Sequence, residues 1–402
     1  MHQTHFLVRE PLLDPQQRVV GYELTWQHNA GDAPTQAALE DLVGFVAGEV
    51  NDPQRGWLLR DKTLFLEAVP AMLSTDALYN LPPQHTVLSI ATRELANPDT
   101  LAAVRALRAG DVGILLRNCD IARAGNRLPS ICSYVEVRFS GADVASQART
   151  YAALKQSTVR MVGRPVTTWA DFDACAALGI DAFVGKLHLT PRPGLEIKGM
   201  NPAQTMILQL MQMVSANADV PKLESILKRD AALSYKLLRY INSAGFGMGR
   251  EIQSLKQAIG LLGYQPLYRW LTLLLATAST TGYSPVLLET AVVRGRLAEL
   301  LGVTALGKVE AENIFVAGMF SLLDRLLGVP MKEVLATIQL SDEVVKALLE
   351  RGGRYGPYLA LAEACELNST LVASLAASLN LTPLDVNKAH LSALAWTQNV
   401  TG

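Results

Sequence analysis

Residues 9–24 read REPLLDPQQRVVGYEL, in which two β-rich runs flank the segment Asp14-Pro15-Gln16-Gln17. Proline presets its own φ angle for a turn, and an aspartate side chain bonds to the backbone that follows it. The stretch therefore predicts a β-hairpin near the start of the chain. Any sheet built on this hairpin begins with an antiparallel pair of strands.

Further strands alternate with helices as far as residue 186. Strands are predicted at 5–11, 18–26, 63–69, 86–92, 112–116, 134–139, 159–162 and 182–186, and helices at 35–50, 98–108, 142–155 and 167–178. Eight strands with interleaved helices predict an α/β barrel of the TIM type that opens with a hairpin. An open doubly wound sheet is the alternative fold, but no Gly-x-Gly-x-x-Gly follows the first strand to support it.

The segment Thr190-Pro191-Arg192-Pro193-Gly194 separates this region from the rest of the chain. Two prolines and a glycine are typical of a linker. Beyond it β-branched alternation disappears, and helices are predicted at 201–216, 220–229, 231–243, 251–262, 265–278, 284–301, 310–327, 341–350, 356–367, 369–379 and 383–397. We therefore expect two domains, an α/β barrel over 1–192 and an all-helical bundle with C-terminal helices over 195–402.

Charge and cysteine content exclude several classes of protein. The 36 basic and 37 acidic residues give a net charge of −1, which disfavours nucleic acid as the main partner. The 4 cysteines form no Cys-x-x-Cys pair, so neither a disulfide framework nor a zinc site is indicated. The sequence contains no apolar run long enough for a membrane span, and we expect a cytoplasmic protein.

Two stretches resemble known signalling domains. Residues 9–14 and 20–24, the latter Val-Gly-Tyr-Glu-Leu, resemble the opening hairpin of the EAL family, whose intact members are barrel phosphodiesterases of cyclic di-GMP. Residues 220–244 and 252–263 resemble the HDOD domain, an all-helical relative of the HD hydrolases. Together the two resemblances imply a bacterial EAL–HDOD regulator with two domains.

An intact EAL site holds two divalent cations at the C-terminal ends of the barrel strands, and this chain departs from the ligand set that the resemblance implies. Glu23 matches the glutamate of the EAL motif, while Glu67 stands at the position of an asparagine ligand and Ser89 at that of a glutamate. The segment Ile114-Leu115-Leu116-Arg117 falls where the family has paired aspartates. Glu136 replaces the catalytic lysine. We therefore expect no bound metal and no other cofactor.

The helical domain departs from its hydrolase relatives in the same way. Those hydrolases bind metal through histidine and a His-Asp pair, whereas Ser321-Leu322 stands at the corresponding place here. Within the HDOD-like stretch, Asp230 is interpreted as a helix N-cap, and Asn242 with Ser243 as a helix end where Asn242 bonds nearby backbone. The alternative for Asn242 is a place in a ligand or interaction pocket.

These patterns predict a catalytically inactive regulator that acts by binding other signalling proteins. The resemblance also implies association of two EAL-like barrels into a homodimer. One alternative is a sensor that binds cyclic di-GMP without hydrolysing it, with Arg9 and Arg117 as phosphate ligands; the glutamine at position 27, where the family has an arginine, disfavours it. The other is a residual metal-dependent phosphodiesterase built on Glu23 and Glu67.

Overall fold

The structure is a computed structural model that describes residues 2–27, 35–52, 54, 56–138, 144–190, 192–193, 200–227, 231–242, 252, 254–278, 285–338 and 340–401. The chain divides into two compact units. The first, here called the barrel unit, is Met1–Pro193 together with Cys365–Ser369, and the second, the helical unit, is Gly194–Ala364 together with Thr370–Gly402. No helix in the described part of the chain is both long and apolar enough to cross a membrane.

The barrel unit is built on a closed eight-stranded sheet, as predicted. Its strands follow the spatial order β1-β10-β9-β8-β7-β6-β5-β2, in which β1 is antiparallel to both neighbours and the other pairs are parallel. The strands of the unit are β1 (Leu7–Leu13), β2 (Val19–Trp26), β3 (Asn51–Asp52), β4 (Gly56–Trp57), β5 (Thr63–Glu67), β6 (Thr86–Ala91), β7 (Gly113–Arg117), β8 (Tyr134–Val137), β9 (Arg160–Gly163) and β10 (Ala182–Val184). The two-residue strands β3 and β4 form a separate ribbon that the sequence patterns did not predict.

The opening hairpin turns where the sequence predicted. The Gln17 amide donates to the Asp14 carbonyl at 2.8 Å, and the Asp14 amide donates to the Arg18 carbonyl at 2.9 Å. The Asp14 carboxylate accepts from both the backbone amide and the guanidinium of Arg18, at 2.8 and 2.7 Å. Gln17 takes a left-handed conformation with φ of 61°. The aspartate thus fixes the turn with its side chain as well as its backbone.

Helices cover the outside of the barrel. They are α1 (Gln36–Val50), α2 (Pro98–Ala109), α3 (Ile121–Ala124), α4 (Val144–Lys155) and α5 (Trp169–Leu178). Three begin at polar caps, since the side chains of Thr35, Asn97 and Thr168 accept hydrogen bonds from amides in the first turn. Helices α1, α2, α4 and α5 start within two residues of the predicted ones, and the four-residue helix α3 was not predicted.

Side chains from seven positions fill the middle of the barrel. They form one buried apolar cluster, against which Tyr134 packs: Leu12, Phe65, Val87, Leu115, Val162, Ala182 and Val184. Gly21 belongs to the same interior, because a Cβ there would approach the Thr63 carbonyl oxygen to 2.3 Å. The barrel is consequently a packed core, and any chemistry has to take place at its ends.

The described residues from 200 onward contain helices and no strand: α6 (Pro202–Ser215), α7 (Val220–Leu227), α8 (Ala231–Asn242), α9 (Leu255–Leu262), α10 (Tyr264–Thr277), α11 (Pro285–Leu306), α12 (Lys308–Phe320), α13 (Leu323–Leu327), α14 (Met331–Thr337), α15 (Asp342–Glu350), α16 (Gly356–Leu367), α17 (Val372–Ser378) and α18 (Pro383–Thr401). The single helix predicted over 310–327 was wrong, because the chain leaves helical geometry at Leu322 and divides into α12 and α13. Helix α14 was not predicted.

A buried ion pair joins helices α10 and α11. The Arg269 guanidinium donates to both oxygens of Glu299, at 2.7 and 2.9 Å, and Arg296 donates to the same carboxylate at 2.8 Å. The Arg269 guanidinium also lies over the rings of Phe315 and Trp396, at 3.9 and 5.0 Å from their centroids. Because Phe315 is on α12 and Trp396 on α18, one charged cluster connects four helices.

Candidate functional site

A ring of polar side chains lies at one end of the barrel. Side chains alternate along a strand, so the residue two places further toward this end of the barrel than each interior residue also faces the barrel axis. On the antiparallel strand β1 this residue precedes Leu12 in sequence. On all eight strands of the barrel, or within two residues of their ends, the residue at this place is polar. We call this set the polar ring; it consists of Glu10, Glu23, Glu67, Ser89, Arg117, Glu136, Arg164 and Lys186.

Arg164 joins two acids of the polar ring. Its Nη2 atom donates to Oε2 of Glu23 at 2.5 Å, and its Nε lies 4.0 Å from Oε2 of Glu136. Both carboxylates are buried, with 8% of Glu23 and 6% of Glu136 exposed. Burial raises the pKa of the Glu23 carboxyl, and the Arg164 guanidinium opposes that shift. Glu23 in turn raises the pKa of Arg164 above its ordinary value against the effect of burial, so Arg164 stays cationic.

A second arginine neutralises the opposite side of the polar ring. Arg117, at the end of β7, donates from Nη2 to the Glu67 carboxylate at the end of β5. The bond spans the intervening strand β6, where Ser89 pairs with Glu67 in register. Ser89 is fully buried, and its hydroxyl has no hydrogen-bond partner among the described residues. The position that resembles a metal-ligand glutamate in the EAL family therefore holds an enclosed hydroxyl beside an ion pair.

The segment at the position of the paired aspartates is apolar except for its last residue. Ile114, Leu115 and Leu116 are at most 1% exposed, and Leu115 belongs to the barrel core. Within the described part of the chain, no group of three or more His, Cys, Asp or Glu side chains is arranged to hold a metal ion. The donor set of the polar ring does not fit a pair of divalent cations, because guanidinium groups already bind Glu23 and Glu67.

The two arginines that the sequence suggested as phosphate ligands do not lie together in the structure. Arg117 lies in the polar ring, but Arg9 is one residue from the ring member Glu10 and faces the other side of β1. There its guanidinium lies over the Tyr22 ring at 5.5 Å from the centroid. Arg164 and Lys186 were not predicted as site residues, although both continue the alternation from the interior residues of their strands.

The helical unit also has an arginine at the position where the resemblance implies metal ligands. Ser321 stands where HD hydrolases have histidine, and its hydroxyl accepts a hydrogen bond from Nη1 of Arg294 at 2.8 Å. Arg294 is 6% exposed and also donates to Glu363 at 3.1 Å. Arg351 donates to both oxygens of the same glutamate, at 2.7 and 2.8 Å. Guanidinium groups thus lie at the place where the resemblance implies a cation site.

Asn242 ends helix α8, and among the described residues its side chain bonds to the backbone of Ile252. Its amide group donates to the Ile252 carbonyl at 2.8 Å and accepts from the Ile252 amide at 2.7 Å. The side chain thereby imitates a backbone pairing with a residue ten positions further on. Asp230 and Ser243, the other residues of this motif, lie outside the described residues.

Replacing Asn242 with alanine is expected to lower the free energy of unfolding by about 1–3 kcal/mol, because both Ile252 backbone groups lose their partner. Chemical denaturation of the full chain measures the loss. Asn242→Asp is the matched control, since it keeps the acceptor for the Ile252 amide and is expected to lose less. An alanine variant as stable as the parent would contradict this structural role.

Known proteins are similar to this chain over almost its whole length. Residues 200–338 match the HDOD domain. The cyclic di-GMP phosphodiesterase CdgJ of Vibrio cholerae is 25% identical over 99% of this chain and 93% of its own length. The uncharacterized protein YuxH of Bacillus subtilis is 22% identical over 98% of both chains. The chain is therefore related over almost its whole length to proteins of cyclic di-GMP signalling.

Part of the chain is similar to solved structures of EAL proteins. The EAL domain of Mycobacterium smegmatis DcpA is 13% identical to this chain, with a TM-score of 0.36, and the match covers 45% of this chain and 90% of that domain.

Proposed function

We propose that this protein is a catalytically inactive regulator, related to cyclic di-GMP phosphodiesterases by descent, that acts by binding other signalling proteins. The observation that carries the proposal is the pairing of arginines with acids in the polar ring. Arg164 binds Glu23 and lies beside Glu136, and Arg117 binds Glu67. Three of the ring's four glutamates therefore have a cationic neighbour supplied by the protein itself.

This arrangement is unsuited to phosphodiester hydrolysis by the mechanism of the intact family. Divalent cations there generate the attacking hydroxide and offset the charge of the phosphodiester. A cation entering the polar ring would be repelled by two guanidinium groups, and it would have to break buried ion pairs to reach carboxylate oxygens. Ser89 and the apolar segment at Ile114–Leu116 offer no carboxylate in exchange.

A protein without nucleophile, base or metal can transmit a signal only through differences in binding between states. Within this proposal the domains are 1–192 and 195–402, and the helical domain carries a surface for a signalling partner. Association of two barrels would give a homodimer. Arg9 faces away from the polar ring and Arg117 is engaged by Glu67, so we also infer that these residues do not capture the phosphates of cyclic di-GMP.

The test is an assay of cyclic di-GMP hydrolysis by the full chain with Mg²⁺ or Mn²⁺, with CdgJ as the active comparison. We expect no turnover above that of a Glu23→Gln variant, and no heat of binding when cyclic di-GMP is titrated in a calorimeter. Turnover that disappears in Glu23→Gln would establish the phosphodiesterase alternative. Binding without turnover would establish the sensor.

A further inference from the structure

A cavity of about 300 Å³ opens in the barrel unit beside the polar ring. It lies between the segment that follows β7, the end of β8 and the helix α4. Its volume is at the lower end of the range for small-molecule sites in proteins. Ile121 and Val137 supply apolar wall, while charged side chains come from Asp120 and Arg138.

The Arg138 side chain is 70% exposed, bonds to two other side chains and still has donor capacity. Its Nη2 donates to Oδ1 of Asn118 at 2.9 Å, and its Nε donates to Oε1 of Glu136 at 3.4 Å. Asn118 takes a left-handed backbone conformation, with φ of 52°, a conformation that asparagine tolerates better than most residues. The remaining nitrogen, Nη1, has no partner among the described residues. A guanidinium with a donor left over suits a carboxylate ligand.

The charge of Arg138 belongs to a group of four side chains whose charges balance. The Glu136 carboxylate lies in the polar ring, where Arg164 is its second cationic neighbour at 4.0 Å. Glu23 and Glu136 together carry two negative charges, and Arg138 and Arg164 carry two positive ones. The wall of the cavity formed by these residues is therefore balanced without a ligand.

Asp120 adds a negative charge beyond this balance. One of its oxygens, Oδ1, accepts from the backbone amide of Arg123 at 3.1 Å. The other oxygen has no partner in the described part of the chain. The cavity thus presents one carboxylate oxygen able to accept from an ammonium group and one guanidinium nitrogen able to donate to a carboxylate, with aliphatic side chains alongside.

We propose that this cavity binds a small aliphatic α-amino acid as its zwitterion. Arg138 would bind the carboxylate, Asp120 the ammonium group, and Ile121 with Val137 the aliphatic side chain. The pairing of opposite charges favours a zwitterion over a simple anion, which Asp120 would repel, and over a simple amine, which would leave Arg138 unused. This proposal stands independently of whether the barrel hydrolyses cyclic di-GMP.

The test uses the full chain with L-leucine, L-isoleucine and L-valine as probes, followed by ligand-observed NMR and by calorimetry. At least one of the three is expected to bind. Arg138→Gln and Asp120→Asn are each expected to weaken that binding by at least about tenfold. Arg149→Gln, which changes an exposed arginine outside the cavity lining on α4, is expected to leave it unchanged.

Two analogues of leucine, each lacking one of its charged groups, test the two proposed charge contacts separately. Isocaproate lacks the ammonium group and isoamylamine lacks the carboxylate, so both are expected to bind at least about tenfold more weakly than leucine. The proposal is overturned if none of the three amino acids binds, if isocaproate binds as well as leucine, or if the Arg138 and Asp120 variants bind like the parent. A folded far-UV spectrum for each variant shows that lost binding is not lost structure.

Discussion

Replacing Glu299 with alanine is expected to lower the free energy of unfolding by about 3–5 kcal/mol, the cost typical of removing one partner from a buried ion pair. Glu299 is 7% exposed and is the acceptor for both Arg269 and Arg296. Without it, two guanidinium groups face each other between helices, and burial already acts to lower the pKa of Arg269. Urea denaturation followed by tryptophan fluorescence measures the effect.

Two comparisons make this prediction specific. Lys222→Ala removes an exposed pair with Asp219, whose partners are 70% and 77% exposed, and is expected to cost no more than about 1 kcal/mol. The double variant Arg269→Met with Glu299→Leu is expected to cost less than Glu299→Ala alone, because only Arg296, whose side chain is 25% exposed, then lacks its acceptor. A single variant that unfolds at the same urea concentration as the parent would refute the role assigned to Glu299.

Replacing Arg164 with methionine is expected to lower the free energy of unfolding of the barrel unit by about 3–5 kcal/mol. Glu23 and Glu136 would then share the end of the barrel without the guanidinium that now lies between them. Burial already raises the pKa of Glu23, and loss of Arg164 removes the largest opposing influence. Glu23 in the variant is therefore expected to take up a proton more readily than in the parent.

The pH dependence of the stability of Arg164→Met follows from the raised pKa of Glu23. A carboxyl whose pKa is raised on folding favours the folded state at low pH, and this contribution is lost as pH rises through the folded pKa. The deficit of Arg164→Met relative to the parent is thus expected to be larger at about pH 8 than at about pH 5. Arg164→Lys keeps the charge and is expected to show a smaller deficit. Equal deficits of Arg164→Met at both pH values would contradict a buried, unpaired Glu23.

Much of the fold could be predicted from the sequence because each strand and helix leaves a local signal. The period of two in the strands and the turn residues at Asp14–Gln17 were enough for a closed barrel that opens with a hairpin. The break between α12 and α13 was missed because the residues from 310 to 327 are apolar at helical spacing throughout. Only packing reveals that the chain departs from the helix at Leu322.

The contacts of the polar ring could not be predicted in the same way. Glu23 and Arg164 are 141 positions apart in sequence, and they meet because the sheet closes. The sequence indicated that acids were missing at Ser89 and at Leu115, but it gave no indication of which arginine would bind which remaining acid. The change from acid to base at Arg117 could be read from the sequence. That Glu67 is its partner could not, because the pairing depends on the register of three strands.

The pairing within the polar ring has a consequence for how this barrel can evolve. On the proposed descent from cyclic di-GMP phosphodiesterases, a return to a metal centre would need new carboxylates on β6 and β7 together with the loss of Arg117 and Arg164. Each of these steps taken alone either adds an unpaired acid or leaves an existing one without its arginine, and a buried unpaired charge costs several kcal/mol. Typical domains have only about 5–15 kcal/mol of stability. Intermediates on that path would be poorly folded. Selection acting on single substitutions would therefore keep Arg117 and Arg164 paired with the glutamates of the polar ring.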